Sequence, residues 1–225
     1  MVKKIFIILF LLCSSAFAHK DHYKKINKIE MEILHNGKNI GYSHYLFSHK
    51  GDELKVKNIT KFDVELFNVK VFSIDSQSTE IYFKNKLIKF FSETKQNKKV
   101  KFVDLFYDKN LDEFIIKGSS YSGSADKKNV IGNWWNHEIL NTETQISPLS
   151  GSVKKQLINF IKEEKININN SNYELYHYKL ISADTNLSDE KKLDFDIWYD
   201  PESYLIRKVT YKRMGKWDYI LTNVE

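Results

Sequence analysis

The stretch from Leu54 to Leu66 constrains the fold more than any other part of the chain. Leu54, Val56, Phe62, Val64 and Leu66 fall on one face of an extended backbone, with Lys55, Lys57, Lys61, Asp63 and Glu65 on the other. Successive side chains of a strand point to opposite faces, so this spacing describes a long strand with one dry face and one wet face. Only 2 Pro and 8 Gly interrupt the 225 residues, so long strands are expected throughout. A sheet with one apolar face must bury it by curling or by packing against a second layer.

The same alternation recurs on both sides of this segment. Ile29, Met31 and Ile33 alternate with Glu30 and Glu32, and Asn36-Gly37 follows, a pair whose tolerance of positive φ marks a hairpin. The return strand runs from about Ile40 to Phe47, before a turn at Gly51-Asp52. Further strands are expected at Val69–Asp75, Thr79–Phe83, Leu87–Thr94, Val100–Tyr107 and Glu113–Lys117, then a loop of mostly small residues from Gly118 to about Ala125. Asn133–Leu140 reads as a short helix or tight turn, with Trp135, Ile139 and Leu140 facing inward. Tyr173–Ser182, Leu193–Tyr199, Tyr204–Lys212 and Trp217–Thr222 resume the alternation, with Asp200-Pro201-Glu202-Ser203 as a turn. Val153, Leu157, Phe160 and Ile161 are spaced for a helix, although the same segment also admits a strand. The expected fold is mainly β, with a minor helical part. It is a long antiparallel meander curved into a half-barrel and covered by the short Trp-containing central segment.

The N-terminus reads as an export signal over residues 1–18. Lys3 and Lys4 precede the apolar run Ile5–Cys13, and Ala16-Phe17-Ala18 supplies the small residues a signal peptidase recognises. The run is about half the length a membrane span needs, and Leu12 occupies the position where acylation of Cys13 requires a small residue. Cleavage near Ala18 implies a periplasmic or secreted protein whose single domain spans residues 19–225, with no transmembrane segment. It also removes Cys13, the only cysteine, and with it any disulfide or thiolate chemistry. Loss of Lys3 and Lys4 lowers the formal net charge from +6 to +4, and only Arg207 and Arg213 are arginines. Without an Arg-rich stripe, nucleic-acid binding is not expected.

Several short motifs occur in a fixed order along the chain: Gly37-Lys38-Asn39-Ile40-Gly41, Trp134-Trp135-Asn136 with Ile139-Leu140, Gly151, His177-Tyr178 and Ile197-Trp198-Tyr199-Asp200. In that order they resemble an uncharacterised family of secreted bacterial proteins, domain of unknown function six-one-three-four. The family is related in turn to periplasmic half-barrels of lipoprotein-carrier-like shape. The resemblance spans nearly the whole mature chain and implies a half-barrel fold and an extracytoplasmic compartment. It lends no activity and no catalytic residues. It implies a strand pair over Val153–Ile168, against the local helical spacing.

Residue chemistry narrows the function classes without selecting one. No histidine pair has the helical i, i+4 spacing with an acid that a zinc protease needs. No Gly-x-Ser-x-Gly elbow and no glycine-rich phosphate loop is present, and no cofactor or metal is implied. Aromatic residues stand at 14%, and their flat apolar bodies with polar tips serve both packing and ligand contact. Adjacent Trp134 and Trp135 cannot point the same way. One is expected in the core and the other near the rim with Asn136 and His137, either as a plug closing the half-barrel or as a ligand mouth. Trp134, Trp135, Asn136, His137, His177, Tyr178 and Trp198 are the ligand-binding candidates. Two function classes follow: a binding or carrier module for a lipid or other amphipathic envelope molecule, and an envelope enzyme acting on glycans through His137 or the Asp194/Asp196 pair. A structural assembly factor is the third reading.

Overall fold

The computed structural model describes residues 21–225 apart from residue 68, so the segment read as a signal peptide lies outside the described residues. A short 3-10 turn, Asp21–Lys25, precedes the strands. In chain order they are β1 (Lys28–His35), β2 (Lys38–Lys50), β3 (Glu53–Leu66), β4 (Val69–Phe83), β5 (Lys86–Gln96), β6 (Lys99–Asp108), β7 (Glu113–Gly118) and β8 (Ser122–Asp126). Then follow β9 (Val130–Ile131), β10 (Thr144–Ile146), β11 (Val153–Ile168), β12 (Ser171–Ser182), β13 (Asp194–Asp200), β14 (Leu205–Lys212) and β15 (Lys216–Val224). A second 3-10 turn, His137–Asn141, lies between β9 and β10.

These strands form one curved sheet. β1 to β8 run outward in sequence order, and β15 to β9 complete the sheet from the other side of β1. The pairings are antiparallel except β9 with β10. Asn36 and Gly37 take positive φ at the first hairpin, 50° and 81°, as the sequence predicts. β8 and β9 are the two edges of the sheet, yet only residues 127–129 separate them in the chain. Four Cα steps reach no further than about 15 Å. The sheet therefore curls until its edges lie side by side, a barrel-like form without a closing ladder.

Contacts across this seam hold the curl. Ser120 N donates to Ser150 O at 3.0 Å, and Ser92 Oγ donates to Pro148 O at 2.5 Å. Gly118 is required here, because a Cβ would lie 2.5 Å from Ser150 O. Ile131 and Ile146, from β9 and β10, join Phe90, Val103, Leu105, Phe114 and Ile116 of β5–β7 in one buried cluster.

The segment from residue 129 to 146 fills the interior and touches three walls. Ile131 and Ile146 pack on β5–β8. Trp135 packs with Ile29, Met31, Tyr45, Phe47, Val56 and Tyr82. Ile139 packs with Leu180, Ile197, Ile206 and Val209. Polar side chains fix its path. Asn136 caps the 3-10 turn by accepting from Glu138 N at 3.1 Å. Gln156 of β11 donates to Ile139 O and Thr142 O, both at 2.9 Å, and accepts from Gln145 at 2.6 Å.

Glu80, buried on the inner face of β4, is the anchor. Its Oε1 accepts from Asn133 Nδ2 at 2.7 Å and from Trp135 Nε1 at 2.9 Å, and its Oε2 accepts from Tyr82 Oη. These three hydrogen bonds satisfy both oxygens and offset the cost of burying the group.

Three sequence expectations change. β4 is one strand rather than the two runs Val69–Asp75 and Thr79–Phe83, because its inner face carries Ser76, Ser78 and Glu80 where apolar residues were sought. Ser76 faces another hydroxyl: its Oγ lies 2.6 Å from Thr94 Oγ1, as Ser43 Oγ lies 2.7 Å from Thr60 Oγ1. Ser122–Asp126, read as loop, pairs with β7. Val153–Ile168 is a strand, one of the two readings its sequence admits, but a single one rather than the strand pair that the resemblance implies.

Glu80→Ala leaves the Asn133 and Trp135 donors without this acceptor in the core and is expected to cost roughly 3 kcal/mol. Glu80→Gln keeps an acceptor oxygen and is expected to cost less than half as much. Urea unfolding of both variants checks the order.

Candidate functional site

The seven sequence candidates separate onto two faces of the sheet. Trp134, Trp135, Asn136 and His137 lie in the interior segment, and Tyr178 lies on the inner face of β12. His177 and Trp198 point outward, since alternate residues of β12 and β13 face opposite sides. Trp135 is buried, as expected for one of the pair, and Trp134 is half-buried against Phe195 and Tyr219. Asn136 and His137 are buried rather than placed at a rim. The cap and the Tyr23 contact draw them inward.

The outward pair belongs to a charge network. The His177 ring stacks on Trp198 with centroids 4.6 Å apart, and its Nε2 lies 2.9 Å from Asp196 Oδ1. His177 Nδ1 is 3.3 Å from Glu164 Oε1 without the geometry of a hydrogen bond. Trp198 Nε1 donates to Glu164 Oε1 at 2.7 Å, and Lys208 lies 5.0 Å from the centre of the Trp198 ring. Hydrogen bonds from Lys162 and Trp198 hold the Glu164 carboxyl below its usual range. Asp194 and Asp196 both bind Lys179, at 2.6 and 2.9 Å, so these carboxylates share one lysine and flank no cleft between them.

The inner face of β11–β14 is different. Phe160, Tyr176, Tyr178 and Tyr199 lie there together, and Tyr204 stands in the turn before β14. Phe160 makes edge contacts with Tyr176 and Tyr178, centroids 5.8 and 5.5 Å apart. Tyr199 and Tyr204 lie 5.6 and 5.9 Å from the His137 ring. Phe160 is 53% exposed and the tyrosines are only partly covered. The result is an open aromatic cradle with buried His137 at its floor.

Beneath it, Tyr23 Oη lies 2.8 Å from His137 Nδ1 and accepts from His137 N at 3.3 Å. Burial pushes the Tyr23 phenol upward. Burial, then the neighbouring phenols of Tyr204 and Tyr178, push Tyr199 up to about 12. Burial and Tyr176 also raise Tyr178. Tyr178 and Tyr199 are therefore neutral near pH 7, with hydroxyls able to donate to an oxygen-bearing group above apolar ring faces.

Asp200 sets the rim of the cradle. It accepts from Glu202 N, Ser203 N, Ser203 Oγ and Arg207, shaping the turn in which Tyr204 takes φ 60°. His22 stacks on Tyr204 at 3.5 Å. Sequence reading selected Tyr178 and His137 but missed Phe160, Tyr176, Tyr199 and Tyr204. Alternation placed Tyr199 on the inner face, but only pairing of β11 with β12 and β12 with β13 brings Phe160 and Tyr199 to Tyr178 and Tyr176.

Among the described residues there is no group of His, Cys, Asp and Glu able to hold a metal ion, and no helix is long and apolar enough to cross a membrane. The model of a family described as Domain of unknown function (DUF6134) matches residues 31–222, and the chain belongs to that family. A solved structure described as a beta-barrel-like protein of domain of unknown function DUF1849 from Brucella abortus is similar, with a TM-score of 0.60 over 88% of this chain and 96% of that one. At 10% identity this likeness speaks for the fold alone. No curated protein matches the chain.

Burial raises the Asp200 carboxyl, but the stronger sum of bonds from Ser203 and Arg207 leaves it below its usual value. Stability from this group is fully present above the unfolded carboxyl value, about 4, and is lost as pH falls through the lower folded value. Thermal unfolding from about pH 5 to pH 3 is expected to show a steeper loss for the parent than for Asp200→Asn.

Proposed function

We propose that this member of the DUF6134 family is an exported binding module whose aromatic cradle holds an amphipathic molecule of the cell envelope. The observation that carries this reading is the set of exposed Phe160 and Tyr204 with half-buried Tyr176, Tyr178 and Tyr199 at the inner face of a curved sheet. Partly exposed aromatics gathered on a concave surface bind apolar chains, and their hydroxyls select an oxygen-bearing end. The interior beside the cradle is occupied by residues 129–146, so a ligand lies along the open face rather than in a closed chamber. The apolar run Ile5–Cys13 and the Ala16-Phe17-Ala18 site support export.

The filled interior favours a second reading, a structural assembly factor that uses the same face to hold another protein. Native mass spectrometry of the protein purified from its own envelope separates the two. The binding reading expects a bound amphiphile that is lost, along with at least ~tenfold of the affinity for a fluorescent fatty-acid probe, in Phe160→Ser/Tyr199→Ala. A clean mass and a probe affinity unchanged by these substitutions would remove it.

A further inference from the structure

The hairpin turns of the sheet lie along two rims, because neighbouring strands are antiparallel. The turns β1–β2, β3–β4 and β5–β6 share one rim. The β14–β15 turn joins it through Asn36 N donating to Lys216 O at 2.7 Å and His35 Nε2 lying 2.8 Å from Met214 O.

Two residues on this rim are out of keeping with the rest. Positive φ favours Gly, Asn and Asp, and the turns follow that rule at Asn36, Asn85, Asn97, Asp112, Asn169 and Asn170, with Lys84 an exception on the opposite rim. Phe67 and Met214 also take positive φ, each 50°. They are 99% and 92% exposed. Neither backbone preference nor packing accounts for large apolar side chains at these positions. Tyr204, the other apolar residue with positive φ, has a packing reason in its stack on His22. Leu66, Val69 and Val71 extend the apolar tip around Phe67, and all three are exposed.

Charge surrounds these tips. The turns at 35–38, 65–70, 95–101, 182–194 and 212–216 carry eleven lysines and arginines against five acids, four of which lie in 182–194. Lys70 is paired with Asp63, and Lys216 with Asp218. Lys95, Lys98 and Lys99 are exposed and have no ion-pair partner among the described residues. Their turn is tied to β4, just inside the Phe67 tip, by Asn97 Oδ1 accepting from Ser73 N at 2.7 Å and Asn97 N donating to Ser73 O at 3.0 Å. On the opposite rim, turns 50–53, 83–86, 108–113, 126–130 and 200–204 carry six cations against eight acids. Leu111, exposed there, sits beside Asp112 and three residues from Asp108.

We propose that the rim bearing Phe67 and Met214 docks on an anionic lipid bilayer. The apolar tips enter the headgroup boundary and Lys95, Lys98 and Lys99 bind the negative surface. An apolar tip alone would fit many partners. Apolar tips beside the unpaired lysines of the 95–99 turn match a surface that is both apolar beneath and negative above. This proposal stands apart from the ligand reading of the cradle, which lies on the inner face.

A local probe tests it on the full chain without interference from the N-terminal segment. In a Cys13→Ser background, Phe67→Cys carries an environment-sensitive nitrobenzoxadiazole label, and Asn110→Cys carries the same label on the opposite rim as a control. Phosphatidylglycerol-rich vesicles are expected to shift the emission of the Phe67-site label to the blue. Phosphatidylcholine vesicles are expected to leave it unchanged, as should either vesicle with the Asn110-site label. At about 1 kcal/mol per lysine near a charged surface, Lys95→Gln/Lys98→Gln/Lys99→Gln should weaken the shift's vesicle affinity at least ~tenfold, as should raised salt. Equal shifts at both sites or with both lipids, or no shift at all, would overturn the proposal. So would a shift that appears on raising protein concentration alone, which assigns the tip to a second copy of the chain.

Discussion

The fold depends on a carboxylate in its interior. Glu80 is held by Asn133, Trp135 and Tyr82, and through the first two it fixes the segment that fills the curled sheet. A buried carboxyl of this kind is costly unless its oxygens are satisfied. Two of the three donors come from a part of the chain far away in sequence, so Oε1 is satisfied only when the sheet has curled and the segment has entered. The arrangement links a local polar requirement to the global shape.

The seam explains why such an anchor matters. A sheet of fifteen strands must curl, but β8 and β9 are not joined by a ladder. The short link at 127–129, the Ser120–Ser150 and Ser92–Pro148 bonds, and the cluster around Ile131 and Ile146 do the work that edge hydrogen bonds do in a closed barrel. Trp135 and Ile139 then connect this seam to the far walls. With the interior occupied, the exposed aromatics of β11–β14 become an open face rather than the lining of a chamber.

Much of the sheet was legible in sequence because period two survives wherever one face is apolar. β3, β12 and β13 show it directly. The reading failed where the inner face is polar. Ser76, Ser78 and Glu80 broke the pattern of β4, and the small residues of Ser122–Asp126 concealed β8. Local spacing also offered a helix at Val153–Ile168, where pairing with β12 imposes a strand. Trp135 and Ile139 were legible as inward-facing, but Glu80 was not, since one acid among 29 Asp and Glu carries no local mark of burial. The cradle was half visible. Tyr178 and His137 were selected by type, whereas Phe160, Tyr176 and Tyr199 gain meaning only from register.

The central claim is that residues 129–146 are a fixed part of the interior, held there by Glu80. Hydrogen exchange followed by mass spectrometry tests this directly. The account predicts that peptides covering 129–146 are protected as strongly as those of β4 and β5 in the parent. In Glu80→Gln they are predicted to exchange faster than the surrounding strands. Rapid exchange of 129–146 in the parent, with the sheet still protected, would contradict it.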